Sequence, residues 1–195
     1  MNAPKLYVQY FETFFDLATE RCRHFWDGSR GPNGCAASFE SLLAFRNEVL
    51  KCGFQNPSIL DAGAGASSCL LRLWFTNVTT CDPDPDYMGQ VQEANRRLRS
   101  ETKVASLKDD RYVVGYSREK FDATFYDWGS GPQRLEHFDD AIQSSKLVYF
   151  DDADNRPLSA WWREEVIKLA ALRGRQWREA KEASDEFDRW GIFVR

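Results

Sequence analysis

SILDAGAGASS, residues 58–68, is the most informative segment of the sequence. A short apolar run ends in Asp61, as expected of a buried strand that reaches the edge of a sheet. Gly63 and Gly65 follow, which can adopt positive φ and carry no Cβ to block a ligand. Small residues come next and open a helix, whose first N–H groups have no partner within the helix. The sequence therefore predicts a strand, a loop of small residues and a helix, with a ligand lying against the loop.

Outward from this loop, apolar runs with the spacing of strands alternate with runs that have helical spacing. Strands alternating with helices predict a mostly parallel sheet with helices on both faces, and ligands bind such sheets at the carboxyl ends of the strands. The runs after the first strand, in chain order, are SCLLRLWF, NVTTCD, DYMGQVQEANRRLRS, RYVVGYS, FDATFYD, KLVYFDD, LSAWWREEVIKLAAL and RWGIFVR.

The segment before this core is predicted to be helical. Residues 7–26 carry aromatic residues at helical spacing, and Ser38 is a suitable N-cap for a second helix that ends at Gly53. We expect one domain over residues 1–195, with residues 1–53 as a helical extension or lid and residues 57–195 as the core.

Composition narrows the functional classes. The net charge of −4 argues against binding to nucleic acid, which requires many cationic contacts with phosphates. Five cysteines, with no CxxC pair among them, are typical of reduced thiols in a cytoplasmic protein. No signal peptide is recognisable, and no run reaches the ~18 apolar residues of a membrane helix.

A nicotinamide-dependent enzyme is one interpretation of the glycine loop. The dinucleotide fingerprint is GxGxxG, with the backbone close to a pyrophosphate. Here Ser68 takes the place of the third glycine, and Asp61 would lie awkwardly beside a diphosphate. A carboxylate at this point favours a ligand with a positive end.

The segment DAGAGAS resembles the first motif of class I S-adenosylmethionine (SAM)-dependent methyltransferases, D/E-x-G-x-G-x-G. The match covers Asp61, Gly63 and Gly65, while Ser67 stands where the third glycine often falls. The resemblance extends over roughly residues 36–155. It implies a three-layer Rossmann-like fold with a mostly parallel seven-stranded sheet, whose last two strands form an antiparallel hairpin at the edge.

The resemblance also implies a cofactor site. An acid at the end of the second strand holds the ribose hydroxyls in this family, and Asp82 is in that position, with Asp84 as the alternative. A plain Pro-rich turn with helix-capping acids remains a second interpretation of this segment. The cofactor-binding residues expected from the resemblance are Asp61, Ala62, Gly63, Ala64, Gly65, Ser67, Asp82, Pro83 and Asp127.

Three further acids end neighbouring strands, namely Asp127, Asp151 and Asp152. They resemble the magnesium site of catechol-type O-methyltransferases, in which the metal lowers the pKa of a substrate hydroxyl. Two departures argue against a metal, because Asp152 replaces the family's Asn and Ser130 replaces its catalytic lysine. We therefore expect no metal, with Asp127 or Asp151 as the catalytic base for a hydroxyl acceptor.

The remaining alternatives stay open at this point. His24 and His137 are the only histidines, and His137 lies in a helical pattern, RLEHFDDAI. Packing or surface exposure is favoured over a role as general base for both. The function expected is methyl transfer from SAM to a small or medium-sized acceptor at oxygen. A non-catalytic SAM-binding module is the second hypothesis, and a nicotinamide-dependent enzyme is the third. The oligomeric state is left open.

Overall fold

The computed structural model describes residue 9 and residues 37–102, 111–129, 131–157, 159–185 and 189–195. The aromatic segment 7–26, including His24, lies outside these residues except for Gln9. Ser130 also lies outside them. Of the cysteines, Cys52, Cys69 and Cys81 are described, and each is a free thiol.

A seven-stranded sheet forms the middle layer, in the order β3-β2-β1-β4-β5-β7-β6. All neighbours pair in parallel except β7, which is antiparallel to both β5 and β6. This confirms the predicted fold class and its antiparallel edge. The strands are β1 Ser58–Ala62, β2 Asn77–Asp82, β3 Tyr112–Val114, β4 Phe121–Tyr126, β5 Ser145–Phe150, β6 Trp177–Glu179 and β7 Ile192–Val194.

Helices cover both faces of this sheet. Successive residues of β1 point to opposite sides, so that Ile59 packs in one apolar cluster with α1, α2 and α3, and Leu60 packs in the other with α4 and α5. The helices are α1 Phe39–Lys51, α2 Ala66–Trp74, α3 Pro85–Thr102, α4 Phe138–Ser144 and α5 Ala160–Leu172. The predicted cap is present, since Ser38 Oγ accepts a hydrogen bond of 3.0 Å from Ser41 N.

Two local expectations differ from the structure. The strand Trp177–Glu179 was not predicted, because all its residues are polar or partly exposed and its pairing with β7 supplies the order that its sequence lacks. The helical pattern around His137 begins instead as a 3-10 turn, Gly131–Leu135, and α4 starts only at Phe138. Among the helices of the described ranges, none is long and apolar enough to cross a membrane.

Candidate functional site

The loop between β1 and α2 crosses directly over the end of β4. Gly63 has φ +104°, and a Cβ added there would lie 2.2 Å from the carbonyl oxygen of Asp127. Asp127 N also donates to Ala62 O at 2.7 Å. Glycine at position 63 is thus required by the neighbouring strand, a reason that differs from the ligand contact expected from the sequence.

Gly65 is the glycine that leaves room above the loop. Its φ of 168° is extended backbone that any residue can adopt. A Cβ at this position would have one neighbour within 4 Å, the hydroxyl of Tyr87 at 3.6 Å. The protein therefore has space for a side chain here, in contrast to Gly63.

Asp61 lies beneath this loop and is fully buried. Its Oδ2 accepts from Ser68 Oγ at 2.6 Å and from Thr80 Oγ1 at 2.9 Å. Ser68 Oγ in turn accepts from Gly65 N at 3.1 Å. Burial raises the pKa of Asp61, while Ser68 and the nearby Arg72 oppose that rise. This geometry lets Asp61 orient the loop through Oδ2, while its buried Oδ1 has no hydrogen-bond partner among the described residues.

Asp82 connects the end of β2 to the glycine loop. Its Oδ2 accepts from Ala64 N at 3.0 Å, and its Oδ1 accepts from Asp84 N at 2.9 Å. Each carboxylate oxygen retains capacity for another donor, and the residue is 8% exposed. Burial raises the pKa of Asp82 to about 6, against the lowering effect of these two N–H donors.

Asp84 is occupied by a different task. Its Oδ1 accepts from Asp86 N at 2.9 Å and from Tyr87 N at 3.1 Å, and therefore caps the first turn of α3. The capping interpretation of this segment thus holds for Asp84, whereas Asp82 faces the loop. Pro83, which was also expected at the cofactor, is exposed between them.

The acids Asp127, Asp151 and Asp152 converge at the ends of β4 and β5. Their ligand atoms lie within 4.8 Å of one another. A guanidinium lies among them, because Arg134 donates to Asp127 Oδ1 at 2.6 Å and to the Asp151 carbonyl at 3.1 Å, and approaches Asp152 Oδ2 at 3.7 Å. Arg156 adds a second cation, at 3.1 Å from Asp152 Oδ1.

Repulsion and burial shift the acids of this cluster. Burial raises the pKa of Asp127 to about 6, with Arg134 opposing and Asp152 adding to the rise. Burial, followed by Asp152 and Asp127, raises the pKa of Asp151 well above its usual range. Although burial of Arg134 acts in the opposite direction, the charge of Asp127 raises its pKa. A divalent cation does not fit this set, because its place beside Asp127 and Asp152 is taken by the guanidinium.

An aromatic group borders the same edge of the sheet. The His137 ring stacks on Tyr116 at 4.3 Å between centroids and contacts Trp128 edge-on at 5.2 Å. His137 Nδ1 also lies 3.0 Å from Asp140 Oδ2. These contacts support the packing interpretation of His137.

Sequence reasoning missed two residues of the site. Arg134 precedes α4 in the 3-10 turn, and the Trp162 indole, from α5, lies 5.3 Å from its guanidinium carbon. Trp162 Nε1 also donates to the Asp152 carbonyl at 2.7 Å. The signal available was three acids at neighbouring strand ends, which demand a nearby cation, but the sequence does not show which of the many arginines supplies it.

The fold has counterparts among solved structures. No protein-family model matches the sequence, and no curated protein matches it. The magnesium protoporphyrin IX methyltransferase ChlM from Synechocystis PCC 6803, solved with SAM, matches over 100% of both chains with TM-score 0.58 and 14% identity. The N-methyltransferase NodS from Bradyrhizobium japonicum WM9, in complex with S-adenosyl-L-homocysteine (SAH), matches over 95% of this chain and 96% of its own, with TM-score 0.51 and 14% identity.

A third match, to Trm5b from Pyrococcus abyssi, takes in 82% of this chain and 50% of that one, with TM-score 0.47 and 20% identity. This chain therefore spans about half the length of Trm5b. The strand order and the matches over whole chains define the fold as that of class I SAM-dependent methyltransferases.

Proposed function

We propose that this protein is a methyltransferase that uses SAM to methylate a hydroxyl group of a small or medium-sized acceptor. The observation that carries the proposal is the contact between Asp82 and the glycine loop, in which the Asp82 carboxylate accepts a hydrogen bond of 3.0 Å from Ala64 N. This contact brings an acceptor of hydroxyl hydrogen bonds next to a backbone stretch that carries only hydrogen atoms or methyl groups as side chains.

The residues around this contact fit SAM. Asp82 would accept hydrogen bonds from the ribose hydroxyls, and exposed Pro83 would border the same region. Ala62, Gly63, Ala64 and Gly65 would offer close backbone contact, and Ser67 would line the start of α2. Asp61 supports this surface from below through Ser68 rather than by direct contact with SAM.

When bound, SAM supplies an electrophilic methyl group next to a sulfonium. The chain's own contribution is mainly to position the acceptor and to exclude water, which is what an in-line displacement requires. An acceptor hydroxyl must also lose its proton. Asp127 is suited to take it, because its side chain is 20% exposed and its pKa of about 6 leaves it ionised at neutral pH.

Asp151 is the second candidate for the base. It is only 5% exposed, and its strongly raised pKa favours the protonated form. A protonated Asp151 donates a hydrogen bond instead of accepting a proton. The geometry therefore supports Asp127 as the base and Asp151 as a neighbour that limits the negative charge of the cluster.

Charge pairing supports a small acceptor over a nucleic acid. The basic groups that would form a phosphate-binding face are engaged with acids: Arg96 and Arg97 with Glu93, Arg173 with Asp139, and Arg178 with Glu48 and Glu182. Releasing these pairs would oppose phosphate binding.

Calorimetry with SAM, SAH and NAD tests the cofactor assignment. We expect SAM and SAH to bind, and NAD to show no heat. A Gly65→Val variant should bind SAH at least about 100-fold more weakly, since its side chain fills the approach to the loop while leaving the backbone unstrained. Gly89→Ala is the matched control, because no atom lies within 4 Å of a Cβ there. Binding of NAD alone would contradict the proposal.

Transfer of a labelled methyl group from SAM tests the enzyme. The acceptor panel should contain phenols, aliphatic alcohols, carboxylates, amines and RNA, so that each acceptor class gives a separate result. Methylation at a hydroxyl that falls about 100-fold or more in Asp127→Asn supports the proposal. Tight SAM binding with no transfer to any member would favour the non-catalytic module instead.

A further inference from the structure

We infer that Arg134 is a built-in counterion that occupies the cation position of the cluster formed by Asp127, Asp151 and Asp152. The cluster would otherwise hold a divalent cation. The inference concerns the same site as the proposed function, but it is tested by metal binding and stability, and so it can fail independently of methyl transfer.

The first support is the spacing of the acids. Their ligand atoms lie within 4.8 Å of one another, the span of two oxygens on opposite sides of a calcium ion at about 2.4 Å each. Three acids this close cannot all stay ionised unless a cation lies between them. The acids alone would therefore form a cation site.

The second support is the way Arg134 is fixed in place. Its residue is only 6% exposed, its carbonyl accepts from the Tyr126 hydroxyl at 3.0 Å, and its guanidinium also donates to the Gly129 carbonyl at 3.3 Å. The Trp162 ring covers the guanidinium at 5.3 Å. A side chain held on its backbone and on its planar face does not move away to admit a metal.

The third support is the geometry of the charges. Arg134 Nη2 makes its shortest contact with Asp127, at 2.6 Å, and lies 3.7 Å from Asp152. It thus touches two carboxylates and the backbone carbonyl of the third acid. One guanidinium compensates part of the charge that a divalent ion would neutralise in a metal-dependent relative of this cluster.

Terbium luminescence sensitised by the nearby tryptophans tests the inference, with Tb³⁺ as the probe for an oxygen-lined cation site. Wild type and Arg134→Lys, which keeps the positive charge, should show no saturable signal. Arg134→Gln should show saturable Tb³⁺ binding, and excess Ca²⁺ should displace the Tb³⁺. Arg173→Gln is the control, because it removes the same charge from an exposed pair with Asp139.

Two results would overturn the inference. One is saturable Tb³⁺ binding to wild type that Asp151→Asn removes, which would show that the cluster admits a cation beside Arg134. The other is a folded Arg134→Gln protein that binds no Tb³⁺.

The double variant Arg134→Gln/Asp152→Asn, which removes the acid whose Oδ2 lies 3.7 Å from the guanidinium, covers the case in which Arg134→Gln does not fold. If Arg134 acts as a counterion, removing one acid should restore folding, measured as the thermal midpoint. If the double variant is as unstable as the single one, the role of Arg134 is packing, and the inference fails.

Discussion

At the β1–β2 side of the sheet edge, Asp61 and Asp82 accept hydrogen bonds from hydroxyls and backbone N–H groups that lie near them in the chain, or on or just after the adjoining strand. At the β4–β5 side, Asp127 and Asp151 meet a guanidinium brought in from a separate turn. On the first side, neutral donors bind the acids, and residues 62–65 of the loop carry no side chain larger than a methyl group. The second side combines acids and a cation, and is suited to moving a proton.

The two sides meet at Gly63, and a side chain there should have the largest effect. Gly63→Ala places a Cβ against the Asp127 carbonyl at 2.2 Å on a backbone with φ +104°. We expect a loss of about 2–5 kcal/mol in the free energy of unfolding, measured by urea denaturation. Gly65→Ala should change stability little, since its extended backbone accepts alanine. Equal stabilities for the two variants would contradict this account of the close contact between Gly63 and Asp127.

Sequence reasoning located the strand, the loop and the helix of the first side because their interactions are local. Asp61, Gly63 and Gly65 lie in one short segment, and Asp82 ends the next strand in the chain. The parallel order of the strands followed from the same alternation of apolar runs. The antiparallel edge followed from the family resemblance alone.

The second side was predictable only in part. Three acids at strand ends were visible, but their partner Arg134 depends on how the turn Gly131–Leu135 folds back over β4. The strand β6 was not predicted for a similar reason, since Trp177, Arg178 and Glu179 show no alternation of buried and exposed positions and their order comes from pairing with β7. Contacts that join distant segments leave little trace in a local pattern.

Removal of Asp82 should produce the next largest effect, and it acts on the first side alone. Loss of a charged acceptor costs about 1.5–3 kcal/mol, so Asp82→Ala should weaken SAH binding by roughly ten- to a hundred-fold in calorimetry. Asp84→Ala should mainly lower the thermal midpoint, because Asp84 caps α3. If only the Asp84 variant binds SAH weakly, the ribose-binding acid has been assigned to the wrong residue.

A smaller effect should follow from the serine that connects Asp61 to the loop. Ser68→Ala removes a donor to Asp61 and an acceptor for Gly65 N. We expect a loss of about 1–2 kcal/mol in unfolding free energy, with Thr80 still bonded to Asp61. Ser67→Ala is the comparison, since the Ser67 hydroxyl donates a long bond of 3.4 Å to the Gly63 carbonyl and lowers the pKa of Asp61 less than Ser68 does. A larger loss in Ser67→Ala would reverse the roles of the two serines.

The smallest effect we predict is a pH dependence that tells the two sides apart. Asp82 and Asp127 both have a pKa raised to about 6 by burial, so each loses its charge as the pH falls through that value. If the ribose hydroxyls bind to ionised Asp82, half of the sites are lost at pH 6, and the affinity for SAH should fall about twofold between pH 7.5 and pH 6.

Unfolding does not explain such a loss, because the sign of the stability effect is opposite. A folded-state pKa above the unfolded value of 3.8 means that the contribution of Asp82 to stability is full below about pH 4 and is lost as the pH rises through about 6. Calorimetry on Asp82→Asn should therefore show weak binding that no longer changes between pH 7.5 and pH 6. Asp127→Asn should keep the twofold change, since its carboxyl lies on the other side of Gly63. A pH dependence that survives in Asp82→Asn and disappears in Asp127→Asn would instead give the acid cluster control over cofactor binding.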